Sequence, residues 1–270
     1  MTGANGLIGA NLVRELLRQG AEVTGLVRPS SRLDGIDGLP IGLAFGDVLE
    51  PDSLGAPMAG QDVVFHTAVA FSYWGEALPA LARTATDGSR NVLAAAASAS
   101  VGRVVMTSSS VTLGASYRPE VLDEGAEPQD DAEEPAYVAA KIAQERQALE
   151  AARALGVEIV FALPTMSVGR FGASLGPSNG MITGYLADPL RLTWAGGCNI
   201  VSARDVAAGH VLLARHGAAG ERYVLGGENL RWSEAHGLIA ELAGVPAPGA
   251  TASAVACYGV ALAEEARARL

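Results

Sequence analysis

Five short apolar runs, at residues 22–27, 41–45, 62–65, 103–106 and 158–162, recur through the first part of the chain, with helix-forming stretches between them at 51–59, 76–100 and 135–155. Strand-length runs separated by helices, rather than by tight turns, cannot pair as hairpins. They require crossovers, and crossovers give a parallel sheet covered on both faces. The expected class is therefore α/β with a doubly wound parallel sheet. A further amphipathic segment, 7–19, precedes the first run and ends at Gly20. Beyond about residue 163 the alternation gives way to Gly- and Pro-rich loops with isolated helices expected at 203–216 and 232–243, a half suited to a substrate lid.

At 270 residues and 49% hydrophobic, the chain can bury a large core and leaves room for a smaller appendage. No apolar run reaches the ~18 residues of a membrane span, because Arg, Asp, Glu or Gly interrupts each candidate. The net charge of −10, without any basic cluster, argues against nucleic acid or an anionic membrane as partner. Two cysteines, Cys198 and Cys257, form no disulfide framework, which makes the reducing cytoplasm the expected location.

Residues 2–9, TGANGLIG, place a glycine at every third position and lead directly into the first helix. Gly3, Gly6 and Gly9 allow a tight turn and close backbone approach, and the helix start offers free N–H groups to a phosphate. Dinucleotide binding is the expectation, with Asn5, Leu7 and Ile8 in the same turn. Only Met1 and Thr2 stand before Gly3, so most of the preceding strand is missing, and its neighbours would be left with unpaired edges. A chain start assigned too late would account for that. The next strand ends at Val27-Arg28. An acid there would suit the ribose hydroxyls of NAD, whereas Arg28, backed by Ser30, Ser31 and Arg32, suits the 2′-phosphate of NADP. After the third strand, Asp47 and Val48 follow Gly46, where the carboxylate either accepts from the adenine amino group or shapes a turn.

The chemistry-bearing cluster is Thr107-Ser108-Ser109-Ser110 after one strand, followed by Tyr137 and Lys141 on the next helix. Lys141 is the one lysine among 19 cationic side chains, the others being arginine. A spacing of four puts Tyr137 and Lys141 on one helical face, with Cβ atoms about 5–6 Å apart. An ammonium at that distance favours a phenolate, which tunes a phenol of pKa ~10 toward neutral pH for general acid–base work. A serine hydroxyl beside it can hold an oxygen on which charge develops.

Several other residues invite a plainer reading. His66 ends the apolar run VVFH and reads as a strand-end residue near the ligand rather than a base. His210, His216 and His236 lack partners at ligand spacing, so no metal is expected. The acidic stretch 120–134 carries eight carboxylates and reads as a solvated loop or a flap. Tyr73 and Trp74 either line the pocket or cap the core.

On TGANGLIG, GDVLEP, VVFHTAVA, GSRNVL, VVMTSSS, YVAAK, Pro164, ARDVAAGH and GERYVLGGENL, the chain resembles the extended short-chain dehydrogenase/reductase superfamily, most nearly its dihydroflavonol reductase-like branch, which includes hopanoid-associated sugar epimerase-type proteins. The resemblance implies a Rossmann domain over 1–162 with a return segment at about 196–226, and a truncated substrate-binding region over 163–195 and 227–270. It implies NADP or NAD as cofactor, Ser109, Tyr137 and Lys141 as catalytic residues, Lys141 also on the nicotinamide ribose, Pro164 in the loop beside the nicotinamide, and backbone near Ala68 lining the cofactor. Ser109 is preferred because the family serine lies five residues before the glycine matching Gly114. Homodimerisation through helices near 85–100 and 137–155 is common among such enzymes. The chain departs from the family at Ala85, where an Asn is frequent, and at 163–165, which lacks the sugar-holding Asn of the epimerases. The implied activity is hydride transfer between NADP(H) and a carbonyl/alcohol carbon of a small organic molecule. The alternatives are a sugar-nucleotide epimerase or dehydratase with tightly bound NAD, and a non-catalytic NADP-sensing protein.

Overall fold

The computed structural model describes residues 1–68, 78–116, 120–127 and 136–268. Tyr73, Trp74 and the acidic residues 130–134 lie outside these, as does Pro135. The helix α1 (Leu7–Arg18) buries Ala10, Leu12 and Val13 and stops at Gly20, whose φ of 78° is accessible at little cost only to glycine. Strands β1 (Thr24–Val27) and β2 (Gly42–Phe45) follow, then a short helix α2 (Gly55–Met58) and β3 (Val63–His66). Next come α3 (Leu78–Arg83), a π-type turn at Thr84–Gly88, α4 (Ser89–Ser98), β4 (Arg103–Thr107) and a 3-10 turn at Ser110–Leu113. The long helix α5 (Ala136–Leu155) leads into β5 (Glu158–Pro164).

The remainder is more regular than the sequence suggested. It contains β6 (Met166–Val168), α6 (Gly176–Ala187), β7 (Leu192–Trp194), β8 (Gly197–Ser202), α7 (Ala203–His216), β9 (Arg222–Leu225), β10 (Glu228–Arg231), α8 (Trp232–Ala243), β11 (Ala250–Ala252) and α9 (Ala254–Ala268). The expected helices at 203–216 and 232–243 are α7 and α8; the strands are three to six residues long, too short for a period-2 pattern to show. Pro164 is the last residue of β5, paired with Leu225, rather than a loop residue. Within the expected return segment, β9 pairs with β5 and α7 packs on α1, whereas β8 pairs with β6 and β10.

The main sheet is parallel throughout: β2 pairs with β1, and β3, β4, β5 and β9 follow in that order. Thr2 joins the two parts, bridging Leu26 of β1 and His66 of β3. Its backbone N–H donates to Phe65 O at 3.0 Å, and Leu26 N–H donates to Met1 O at 2.7 Å. One rung thus holds the two parts of the sheet together. Beyond it lies an open cleft of about 790 Å³ lined in part by Val23, Thr24, Asp62, Val63 and Val211.

Both faces of the sheet are covered. Leu54, Met58, Val92, Leu93 and Ala148 from α2, α4, α5 and the segment before α2 pack on Val104, Met106 and Phe161, while Leu12, Ala207 and Val211 from α1 and α7 pack on Val105, Val160 and Ala162. Successive residues of β4 therefore enter opposite cores, which is why that strand reads as unbroken apolar sequence. Each fully buried Leu or Phe contributes about 2 kcal/mol of transfer free energy. The C-terminal ends of β1, β3, β4 and β5 carry Arg28, Thr67–Ala68, Ser108–Ser109 and Pro164, so the sheet gathers the candidate residues along one edge.

Candidate active site

The glycine turn is built as its spacing predicts. Gly3 has φ 69°, and a Cβ there would lie 2.7 Å from the backbone nitrogen of Ala68; a Cβ at Gly9 would collide with the carbonyl oxygen of Gly3. Gly6 donates its N–H to Gly3 O at 3.0 Å and caps α1 without a side-chain acceptor. The first N–H groups of α1, at Leu7, Ile8 and Gly9, therefore have no partner within the helix. A turn that excludes side chains and presents orphan donors at the positive end of a 12-residue helix fits a pyrophosphate. Asn5 stays beside it: its side-chain amide donates to Arg32 O at 3.0 Å, and its backbone carbonyl accepts from Ala173 N–H at 3.0 Å.

That last contact belongs to a feature invisible in the sequence. The segment 170–173 closes over α1, where Arg170 O accepts from the Asn11 amide at 2.8 Å and the Phe171 ring lies 3.7 Å from the Arg14 guanidinium carbon. Contacts separated by some 160 residues leave no local pattern in either segment.

Arg28 is exposed immediately after β1, whereas Arg32 is committed to an ion pair with Asp34. Asp47 shapes its own turn, with Oδ1 accepting from Leu49 N–H at 2.9 Å. Val48 is buried against Gly88, and its carbonyl accepts from the Asn91 amide at 2.9 Å. Ala68 N–H donates to Thr2 Oγ1 at 3.3 Å, which pins the strand end to the glycine turn.

Around the serine cluster the structure separates neighbours that the sequence leaves equivalent. Ser108 is buried and donates to Glu145 Oε1. Thr112 donates to the same oxygen at 2.7 Å, and Arg222 pairs with Oε2 at 3.0 Å. The Ser108 hydroxyl is thus consumed by structure. Ser109 is partly exposed and caps the 3-10 turn, its Oγ accepting from Val111 N–H at 3.4 Å. It can still donate to a ligand oxygen.

Tyr137 sits in the first turn of α5, 6% exposed, packed with Leu81, Ala85 and Ala140. Ala85 lies in the π-type turn, so the methyl where an Asn is frequent touches the Tyr137 cluster directly. Lys141, one turn on, is 2% exposed, and its ammonium donates to Thr107 O at 3.0 Å and Gln144 Oε1 at 2.7 Å. Burial pushes the Lys141 pKa down to about 7, with Glu145 opposing that shift. The helix face thus places Lys141 under the end of β4, with Tyr137 one turn before it in a cluster against which Val111 of the Ser109-capped turn packs. The role of Gln144 is legible only in hindsight, as a residue three positions after Lys141 on the same face.

His66 is fully buried at the end of β3 between Thr2 and Ser89, and burial, reinforced by the charge of Lys141, pushes its pKa down to about 3. His210 donates Nδ1–H to Val206 O at 2.8 Å and accepts from Thr107 Oγ1 at 2.8 Å; burial holds it near 4. Both are neutral core histidines. Among the described residues no group of three or more His, Cys, Asp or Glu could hold a metal ion, and no helix is long and apolar enough to cross a membrane.

Comparison with known proteins agrees with this geometry. The model of the NAD dependent epimerase/dehydratase family matches residues 1–226. A Synechocystis sp. protein provisionally named dihydroflavonol 4-reductase is 36% identical over 252 residues, covering 92% of this chain and 73% of its own length. Cinnamoyl-CoA reductase 1 of Oryza sativa subsp. japonica is 33% identical over 259 residues, covering 90% of this chain and 75% of its own. The crystal structure of a nucleoside-diphosphate-sugar epimerase from Pseudomonas aeruginosa superposes with a TM-score of 0.81 at 27% identity, over 97% of this chain and 82% of that one. With its glycine turn, parallel sheet and more than four-fifths of its length matched, the chain belongs to the NAD dependent epimerase/dehydratase family and is an NAD(P)-dependent enzyme of the extended short-chain dehydrogenase/reductase type.

Proposed function

We propose that the protein is an NADP-preferring reductase acting between a carbonyl and an alcohol carbon of a small organic substrate. The observation that carries this reading is the burial of Lys141 one helical turn from Tyr137, its ammonium on the carbonyl of Thr107, two residues before the partly exposed Ser109. When bound, the nicotinamide supplies the hydride to the carbonyl carbon. Ser109 Oγ donates a hydrogen bond to the carbonyl oxygen, the Tyr137 hydroxyl donates the proton to it, and the Lys141 ammonium stabilises the phenolate that remains. Lys141 can do so only while charged, and a pKa near 7 leaves that charge poised at neutral pH.

Gly3, Gly6 and Gly9 with the start of α1 would hold the pyrophosphate, and Arg28, exposed after β1, would meet a 2′-phosphate. The reductase names among the relatives favour reduction over epimerisation. The test is Tyr137→Phe assayed with NADPH against a panel of aromatic and aliphatic ketones and aldehydes. Turnover should vanish while NADPH binding, read by fluorescence titration, is kept. Retained turnover would refute the assignment. Cofactor that co-purifies and is never consumed would instead favour the epimerase reading.

A further inference from the structure

The two acceptors of Lys141 differ in kind: Thr107 O is backbone, whereas Gln144 Oε1 heads a chain of buried side chains. An ammonium carries only donors, so the amide oxygen of Gln144 must face it, which turns the amide nitrogen toward Ser89 Oγ at 2.8 Å. Ser89 Oγ lies 3.2 Å from His66 Nε2, and His66 Nδ1 lies 2.8 Å from Thr2 Oγ1. His66 is neutral, and the tautomer that continues the chain has Nε2 accepting the Ser89 proton and Nδ1–H donating to Thr2. The donors from Lys141 to Ser89 point the same way, and in that tautomer the direction carries through His66 to Thr2. A positive charge at the head polarises such a chain favourably, and a neutral amine does not.

None of these side chains is more than 2% exposed: Lys141 2%, Gln144 0%, Ser89 1%, His66 0% and Thr2 2%. The chain ends at Thr2, which also accepts from Ala68 N–H, so it runs from the ammonium to the glycine turn. The other titratable groups facing Lys141 are Tyr137 and Glu145 on its own helix, His66 on β3, and His210 behind Thr107 on α7. Glu145 is engaged by Ser108, Thr112 and Arg222, and both histidines are neutral.

We propose that Gln144 is a positioning residue for Lys141, which through Ser89 and His66 holds the ammonium beneath Thr107, favours its charged form and ties its placement to the glycine turn. The proposal rests on the reading of Lys141 as the group that tunes Tyr137. Its test does not depend on turnover. Because Lys141 is the only lysine, the full chain labelled with [13Cε,15Nζ]-lysine gives a single side-chain resonance, whose titration midpoint is read without substrate or cofactor. Gln144→Met keeps the volume and removes the acceptor. It should lower the midpoint by about one pH unit, a tenfold loss of proton affinity, as expected for a lost hydrogen bond to a charged group.

Gln144→Glu should raise the midpoint by at least as much. Ser89→Ala, which leaves the Lys141–Gln144 bond but cuts the chain behind it, should lower it by less than Gln144→Met. A midpoint unmoved in Gln144→Met, or in Ser89→Ala should the former not fold, overturns the proposal. Persisting turnover in Tyr137→Phe would refute the enzyme reading instead and leave these midpoints where they are.

Discussion

Lys141→Met converts the burial of one ammonium into a pH-dependent stability difference that can be calculated. Lys141 titrates near 7 in the folded protein against 10.5 in the unfolded chain. A cation with a depressed folded pKa binds more protons when unfolded, so its cost to stability is full below the folded value and is relieved as pH rises toward the unfolded one. With those two values the cost is about 4 kcal/mol at pH 7 and about 2 kcal/mol at pH 9, the slope approaching ~1.4 kcal/mol per pH unit. Methionine has no such titration. Urea unfolding of both proteins at pH 7, 8 and 9 should therefore show wild type gaining about 2 kcal/mol on Lys141→Met across that range.

The difference, rather than either absolute stability, is the quantity to follow. Thr107 O and Gln144 Oε1 lose their donor in the variant, which adds an offset that does not vary with pH. Other titrating groups largely cancel between the two proteins. A flat difference would show that Lys141 keeps an ordinary pKa, and the account of a poised ammonium would fail.

Gly9→Ala should abolish measurable NADPH binding in a fluorescence titration, because the new methyl must displace the Gly3 carbonyl from the turn; binding within twofold of wild type would contradict the pyrophosphate site. Arg28→Ser should weaken NADPH about tenfold or more and leave NADH within about twofold, since only the former offers a 2′-phosphate to a cation. Glu145→Ala should cost about 3 kcal/mol in urea unfolding. It strips Ser108 of its acceptor and leaves Arg222, itself only 19% exposed, with just the Glu127 carboxylate 4.0 Å away.

Local patterns carried much of this protein. Five of the strands in the main sheet, the helices α1, α5, α7 and α8, and the stop at Gly20 are set by apolar runs, periodicity and glycine placement, all of which act within a few residues. The glycine turn and the Tyr137/Lys141 pair are legible for the same reason, since each lies inside one turn or one helix face. Sequence alone fixed less where a position depends on a distant partner. Nothing local distinguishes Ser109 from Ser108; the distinction arises because Glu145, on another element, takes the Ser108 hydroxyl. Pro164 could be read as a loop residue because its pairing with Leu225 spans some sixty positions.

The small strands after residue 165 and the closure of 170–173 over α1 were decided in the same way, by pairings whose two halves carry no pattern of their own. The chain from Lys141 through Gln144, Ser89 and His66 to Thr2 joins four separate segments. Sequence supplied its members as ordinary polar residues. Only the fold excluded water from around them, and without water each donor had to find its acceptor in the next.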